Sequence, residues 1–502
     1  MGVESEYGIL APNNPRANPI TLSTQVVNAY ANLIMPNRLE RMRWDYDVET
    51  PLQDARGFVL NRVDASSDIL TDSDYGVPNL VLPNGGRFYV DHAHPEYASP
   101  EVSNPWHATL WDFAGDQIMA QAAAQASQLT GELIVAYKNN SDGKGASYGS
   151  HENYQVSRAV EFTKFVDYLT PFFVTRSIFA GSGRVGIGQE GRTLGFQISS
   201  RADFFEAQVG LETTVRRPII NTRDEPHADA TLYRRLHVIV GDANMSHEST
   251  YLKMGVTAII LSMIESDYLK EPLNLVDPVS VMHQISHDLD LQLTFKLQDG
   301  RSLSAIEIQR HYLAQAQNFI ADFSINDDMT ADVIKRWQNI LNQLETDKMT
   351  LANSVDWIAK LAIMQGYLDR DGRGWIDPRL ASVDLQYADL RPEKGLALML
   401  QSRGHQKGLF SPAEIIDATK NPPNDTRAYF RGKSVSNFGN SITAASWDSV
   451  IFEVSDNENL VRVLTPDAQK GTEQLTSGLF QSNLDLRDFL EALSAHSQSA
   501  IG

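Results

Sequence analysis

The chain is predicted to be an α+β protein, and two observations carry that assignment. Residues 3–9, 87–91, 134–137, 195–199 and 236–241 have the alternation or short apolar runs of strands. Residues 22–35 and 105–129 repeat their apolar positions at helical spacing, and from 305 to 363 the pattern is mostly helical. A chain of 502 residues can bury a large core and hold more than one domain. Asn421-Pro422-Pro423-Asn424 marks a boundary, dividing a main domain, 1–420, from a small C-terminal domain, 421–502.

The elements follow from local chemistry. Side chains alternate along an extended chain, so Glu4 and Glu6 share one face of the first strand while Val3, Ser5 and Tyr7 share the other. Residues 51–83 are polar, acidic and unpatterned, with Asp64-Ala65-Ser66-Ser67-Asp68 and Thr71-Asp72-Ser73-Asp74 among them. They read as a long mobile loop between two strands. The next strand, 87–91, places Arg87, Tyr89 and Asp91 on one face and turns Phe88 and Val90 toward a core. His92, His94 and Glu96 follow at once. Crowding these groups is costly unless something binds there; the alternative is an exposed, solvated strand end.

Composition narrows the function classes. Hydrophobic content of 42% and charged content of 21% suit a soluble globular protein. A formal charge of −20, from 43 Lys and Arg against 63 Asp and Glu, argues against nucleic acid as the main ligand. The longest apolar run, 255–264, is too short to cross a bilayer. Zero cysteines exclude disulfides, thiolate metal sites and a cysteine nucleophile. With no N-terminal signal pattern visible, a cytoplasmic protein is expected, without nucleic acid or membrane as partner. A local basic groove remains open, running from Arg176 through Arg184, Arg192, Arg201, Arg216 and Arg217 to Arg223.

Three motif look-alikes are rejected. Gly181-Ser182-Gly183-Arg184-Val185-Gly186 spells GxGxxG but lacks the strand–turn–helix context, so a glycine-rich turn between strands is expected. Gly143-Lys144-Gly145-Ala146-Ser147 lacks the leading glycine of a phosphate loop, because Lys138 stands there. Asp369-Arg370-Asp371-Gly372 carries Arg373 where a calcium loop needs its third acidic ligand.

Oxygen-rich ligand sets suit hard cations such as Mg²⁺, which in turn hold phosphates. The candidates are Glu4, Glu6, Tyr89, Asp91 and Glu96, joined by His151 after a glycine-containing turn and by His237. A lone histidine in an apolar strand is more often a satisfied core residue, but Arg235 on the same face as His237 favours an anion or nucleotide site. Residues 221–229 form a further dense polar run, either a catalytic loop or a surface turn with internal ion pairs.

At these residues the chain resembles the Pup-processing carboxylate–amine ligase family, which shares the glutamine-synthetase fold. The motifs are Glu4-Ser5-Glu6-Tyr7-Gly8, residues 84–91, His94-Pro95-Glu96-Tyr97, Tyr137-Lys138-Asn139-Asn140, residues 147–154, 221–229 and 233–244, and Ala445-Ser446-Trp447-Asp448. Together they span residue 1 to about 450, while the last ~50 residues match least. The family has a ligase branch, which attaches Pup to lysines, and a depupylase/deamidase branch. Three features favour the second. Residues 51–83 match an insertion that the ligases lack. Val90-Asp91-His92-Ala93-His94 stands where ligases have a glycine and a serine before the histidine. Ser150 stands where they typically carry cysteine.

The resemblance implies a largely antiparallel sheet packed with helices, and ATP and Mg²⁺ as cofactors. It implies Glu4, Tyr89, Glu96, His151 and His237 as metal ligands. Glu6, Arg87, Ser99, Asn153, Arg235 and Trp447 would bind the cofactor, and Asp91 would be the catalytic residue, as nucleophile or general base. The partners would be Pup, a small, acidic, mostly disordered modifier, and pupylated proteins. A −20 enzyme repels such a partner at long range, so Arg201 and Arg223 of the basic run are the candidate substrate contacts. The implied reaction is hydrolysis of the amide between Pup's C-terminal glutamate and a lysine, or deamidation of a C-terminal glutamine. A Pup–protein ligase and a non-catalytic, nucleotide-bound scaffold that recruits pupylated proteins are the alternatives.

Segment 51–83 supplies few apolar residues and leads directly into the strand bearing Asp91, so it is expected to lie by the active site and gate turnover. Deleting residues 66–74 should leave the melting temperature nearly unchanged and alter the rate of the implied cleavage or of ATP hydrolysis. Unfolding would make the segment structural, and unchanged rates of both reactions would make it idle.

Overall fold

The computed structural model describes the chain except residues 37–41, 66–69, 71–75, 144, 188–192, 373, 455–459, 483 and 502. Most of the acidic stretch behind the loop expectation therefore lies outside the described residues, as do Lys144, Arg192 and Arg373. The centre of the fold is a six-stranded antiparallel sheet. Its order is Tyr233–Val238, Ser150–Ser157, Gly2–Glu6, His94–Ala98, Arg87–Asp91 and Asn79–Val81.

Two helices lie against the sheet's apolar face. Pro19–Ile34 starts where Asn18 accepts from the N–H groups of Ile20 and Thr21, with proline in the first helical turn. Pro105–Thr130 is capped by Asn104 and ends at Gly131 in the left-handed conformation. Phe88, Val90 and Tyr97 are buried between sheet and helices. The approach is close: a Cβ at Gly115 would collide with the Tyr97 ring. Under the first strand, Lys138 Nζ donates to Asp112 at 2.9 Å and Asp116 at 3.0 Å, while Tyr7 donates to Asp116 and Ser5 to Asp112.

Three expectations need correction. The strand predicted over 3–9 divides in two, because the chain leaves the sheet at Tyr7, whose N–H donates to Pro95 O. Gly8–Leu10 then pairs separately with Val135–Tyr137. Residues 51–83 are not patternless throughout: Gln53–Asp54 pairs with Phe58–Val59, and Asn79–Val81 is an edge strand of the main sheet. The buried Asp54 carboxylate there accepts from Thr222 and Arg56, so polar contacts set the conformation where apolar periodicity gives no signal. The Gly181–Gly186 turn follows the helix Phe162–Ala180 and does not join two strands.

The C-terminal segment builds a four-stranded sheet in the order Leu460–Leu464, Ser449–Glu453, Ile442–Ala445, Arg43–Trp44. Its last strand comes from the N-terminal part, and its core includes Met42, Trp44 and Val81 beside Phe430, Phe452 and Phe489. Residues before and after 421 thus share one apolar cluster.

Lys138→Met would leave Asp112 and Asp116 buried without their cation. The expected loss in a denaturant melt at neutral pH is about 3–5 kcal/mol. Burial already pushes Asp116 up to about 7 against the opposing Lys138 charge. A loss under about 1 kcal/mol would mean that protonation of Asp116 absorbs the change.

Candidate functional site

The other face of the sheet gathers the polar groups, and strand register explains why. Glu4 lies opposite His151 on one side and Ala98 on the other. Glu6 lies opposite Glu96, Tyr89 opposite Glu96 from the far side, Asp91 opposite His94, and Asn153 opposite His237. The result is two clusters whose potential ligand atoms lie within 4.8 Å of one another: Glu4, His151 and His237, and Glu6, Asp91 and Glu96.

The electrostatics of the two clusters differ. Burial would raise Glu4, yet His151 at 3.5 Å, His237 at 3.6 Å and the Arg235 charge hold it well below the usual carboxylate range. Burial likewise opposes ionisation of Glu6. His94 Nδ1 at 3.2 Å and the Gly149 N–H at 2.6 Å nonetheless bring it down to about 2. That N–H reaches Glu6 because residue 149 has no side chain; a Cβ there would collide with the His151 ring and lie 2.7 Å from Glu6 Oε1. Glu96 goes the other way: burial first, then the charges of Asp91, Glu6 and Glu4, push it well above the ordinary value. Burial, with Glu96 adding to it, keeps the Tyr89 phenol protonated.

His237 is held down to about 3 by burial and the neighbouring Arg235, so its imidazole is neutral. Neither of its buried ring nitrogens makes a hydrogen bond within 3.5 Å, Nε2 standing 3.6 Å from Glu4. A neutral imidazole with unmet nitrogens, beside carboxylates that cannot all ionise together, is a donor set that a divalent cation satisfies. Glu4, His151 and His237 form one such set, and Glu6, Asp91 and Glu96 a second beside it.

Two cavities adjoin on this face. One is walled mostly by apolar groups such as Val3, Ala98, Tyr154, Pro226 and Ala228. The other is polar and contains Arg87, Tyr89, Asp91, Glu96 and Arg223. Glu4, His227, Arg235 and Trp447 line both. An apolar recess that opens into a chamber of cations and metal-type ligands has room for a flat ring at one end and phosphates at the other. The Arg87 guanidinium is fixed at the chamber wall, 3.8 Å from the Tyr89 ring centre and 4.0 Å from that of Trp44.

Most residues singled out from the sequence meet here. Glu4, Arg87, Tyr89, Asp91, Glu96, His151, Arg223, Arg235, His237 and Trp447 line the polar chamber. Ser99 and Asn153 line the apolar recess, with Ser99 Oγ accepting from the Val3 N–H and Asn153 Oδ1 accepting from Arg235. Glu6 belongs to the carboxylate cluster but does not line either cavity.

Two arginines of the expected basic groove, Arg201 and Arg176, are buried, while Arg223 lines the polar chamber. Arg201 is 1% exposed and donates to the carbonyls of Ile239 and Gly241; burial, with Arg217 nearby, lowers it to about 9. Arg176 is a buried partner of Glu152. Neither offers its charge to a partner, because the fold turns both inward onto acceptors that a linear reading does not place.

The sequence reading left out Tyr46, Glu49 and Arg427, none of which sits in a recognisable pattern, although all line the cavities. Glu225 and His227 were legible only as part of the polar run 221–229. Glu225 carries a structural signal: its carboxylate meets Arg235 at 3.1 Å and accepts from the Thr50 N–H at 2.9 Å.

A sheet that presents carboxylates, imidazoles and arginines on one face above a helix layer defines a catalytic fold of the glutamine-synthetase type. The chain belongs to the Pup-ligase protein family, whose model matches residues 1–451. It is 51% identical over 497 residues to a protein of Acidothermus cellulolyticus named depupylase, covering 98% of this chain and 99% of that one. It is 48% identical over 495 residues to a Pup deamidase/depupylase of Mycolicibacterium smegmatis, again covering 98% and 99%. Among solved structures it is similar to the complex of Pup with its ligase PafA, with a TM-score of 0.79 and 29% identity over 98% of this chain and 94% of that one. It is also similar to PafA with ADP, at a TM-score of 0.73 and 34% identity over 81% and 90% of the two chains. No helix among the described residues is long and apolar enough to cross a membrane.

Glu4→Gln and His237→Ala should each weaken Mg²⁺-dependent nucleotide binding, measured by calorimetry with ADP and Mg²⁺. Unchanged affinity in both variants would leave the two residues with a structural role alone.

Proposed function

We propose that this chain is a cytoplasmic, ATP- and Mg²⁺-dependent depupylase and Pup deamidase. It hydrolyses the amide between the γ-carboxyl of Pup's C-terminal glutamate and a lysine, and converts a C-terminal glutamine of Pup to glutamate. The observation that carries the reading is the placement of Asp91. In the carboxylate cluster its side chain is 30% exposed, whereas Glu6 is 11% exposed and Glu96 is 3% exposed as a residue. Asp91 is the carboxylate that a macromolecular substrate can reach. Nearly full-length similarity to proteins named for depupylation supports hydrolysis over ligation.

The chemistry follows from the neighbours. Amides resist water, so cleavage needs an activated nucleophile and support for developing negative charge. Asp91 either attacks the γ-carbonyl or takes a proton from an attacking water; in both routes water ends on the glutamate and the lysine leaves as its amine. Arg235 and Arg87 sit where they can hold phosphates, and the apolar recess takes the base. Glu4, Tyr89, Glu96, His151 and His237 would hold the Mg²⁺, which supplies charge neutralisation for the phosphates when bound.

Incubation with ATP, Mg²⁺ and a Pup–protein conjugate should release free substrate and Pup; no release would leave a scaffold. Unconjugated, glutamate-ended Pup with a lysine-bearing protein should give no conjugate, and conjugation would make the chain a ligase. Asp91→Asn keeps the volume and removes the reacting carboxylate, so cleavage should fall at least ~100-fold while ADP binding stays. Activity above roughly a tenth of wild type would remove Asp91 from the chemistry.

A further inference from the structure

The C-terminal segment reaches the cavity through two buried arginines, both within the part of the chain that the family model covers. Arg427 caps the helix Ala428–Phe438 and Arg431 lies one turn inside it. Their side chains are only 4% and 2% exposed. Both meet the same carboxylate. Arg427 Nε donates to Glu101 at 2.7 Å, and Arg431 donates to it through both terminal nitrogens. Burial would push Glu101 up, but the two guanidinium charges bring it down to about 2, so the three groups form an ion triad.

The remaining donors of the two forks go to backbone carbonyls around the cavity. Arg431 donates to Trp447 O at 2.7 Å and to Gly85 O at 2.7 and 2.9 Å. Arg427 donates to His227 O at 2.7 Å and to Thr465 O at 2.8 Å. Trp447 and His227 are two of the residues that line both cavities, and His227 sits at a φ of 48°, which a non-glycine residue holds only if its surroundings enforce it. Arg431 does not line either cavity. Four separate stretches of chain therefore converge on two side chains. Buried ion clusters add little stability over a well-packed apolar replacement, so stability alone does not account for this one.

We propose that Arg431, acting with Arg427 on Glu101, is a positioning residue for nucleotide binding: it holds Trp447 and the His227 loop as the wall between the apolar recess and the polar chamber. The C-terminal segment is then an integral side of the nucleotide site. This rests on the reading of the cavity as a nucleotide site. Arginine is required because a lysine's three donors radiate from one nitrogen and do not span Glu101, Gly85 O and Trp447 O together.

The test compares wild type, Arg431→Met and Arg431→Lys by calorimetry with ADP and Mg²⁺, by ATP-dependent cleavage of a Pup conjugate, and by thermal melting. Residues that orient contact groups typically cost about 10- to 100-fold in affinity when removed. Arg431→Met should lose ADP affinity on that scale and raise the KM for ATP in step, with kcat at saturating ATP close to wild type. Arg431→Lys should restore affinity only in part. A folded Arg431→Met protein that binds ADP like wild type overturns the proposal, whatever its melting temperature, and so does a kcat that collapses at saturating ATP. If Arg431→Met does not fold, Arg431→Lys is judged on the same affinity and KM. A wild-type protein that binds no ADP would instead overturn the nucleotide reading.

Discussion

The constraint on which the site depends is that Glu4, Glu6, Glu96 and Asp91 are held closer together than like charges tolerate in a buried place. Strand pairing imposes this, since Glu6 faces Glu96 across the ladder and Glu4 sits two residues away on the same face. The crowd is resolved unevenly. Glu4 and Glu6 stay ionised because histidines and a backbone N–H meet them, while Glu96 is driven toward its protonated form. Bound cations would relieve that tension, so the geometry that crowds the carboxylates also suits them to hold a cation.

Holding such a cluster requires rigidity from the opposite face. The residues between the acidic ones, Val3, Ser5 and Tyr7, are buried against the helix Pro105–Thr130. Ser5 and Tyr7 are tied through Asp112 and Asp116 to Lys138. The first strand is thus fixed by a compensated charge network below and presents Glu4 and Glu6 above. The C-terminal segment closes the assembly from the side, through the carbonyls that Arg427 and Arg431 hold.

Alternation alone made part of this legible. A period of two places Arg87, Tyr89 and Asp91 together, and Phe88 and Val90 opposite them, however the strand is paired. The same logic put Glu4 with Glu6 and Arg235 with His237. Clustering of arginines along the chain did not reveal that Arg201 and Arg176 turn inward: their environments are set by carbonyls of Ile239 and Gly241 and by Glu152, contacts that no local pattern encodes. Alternation also missed the strand break at Tyr7, after which Gly8–Leu10 pairs with the distant strand Val135–Tyr137.

By itself the sequence determined which side chains share a face, where the long helix at Pro105 begins, and, through its motifs, the family to which the chain belongs. Those properties are local, fixed by backbone geometry over a few residues. Tertiary structure alone decided which faces meet: that strands from residues 2, 94, 150 and 233 lie side by side, and that His227, Trp447 and Arg427 join them at one cavity. Register and burial also set the protonation of Glu96 and the unmet nitrogens of His237. Charge states in a buried cluster depend on neighbours hundreds of residues distant, and only the folded chain brings those neighbours within a few ångströms.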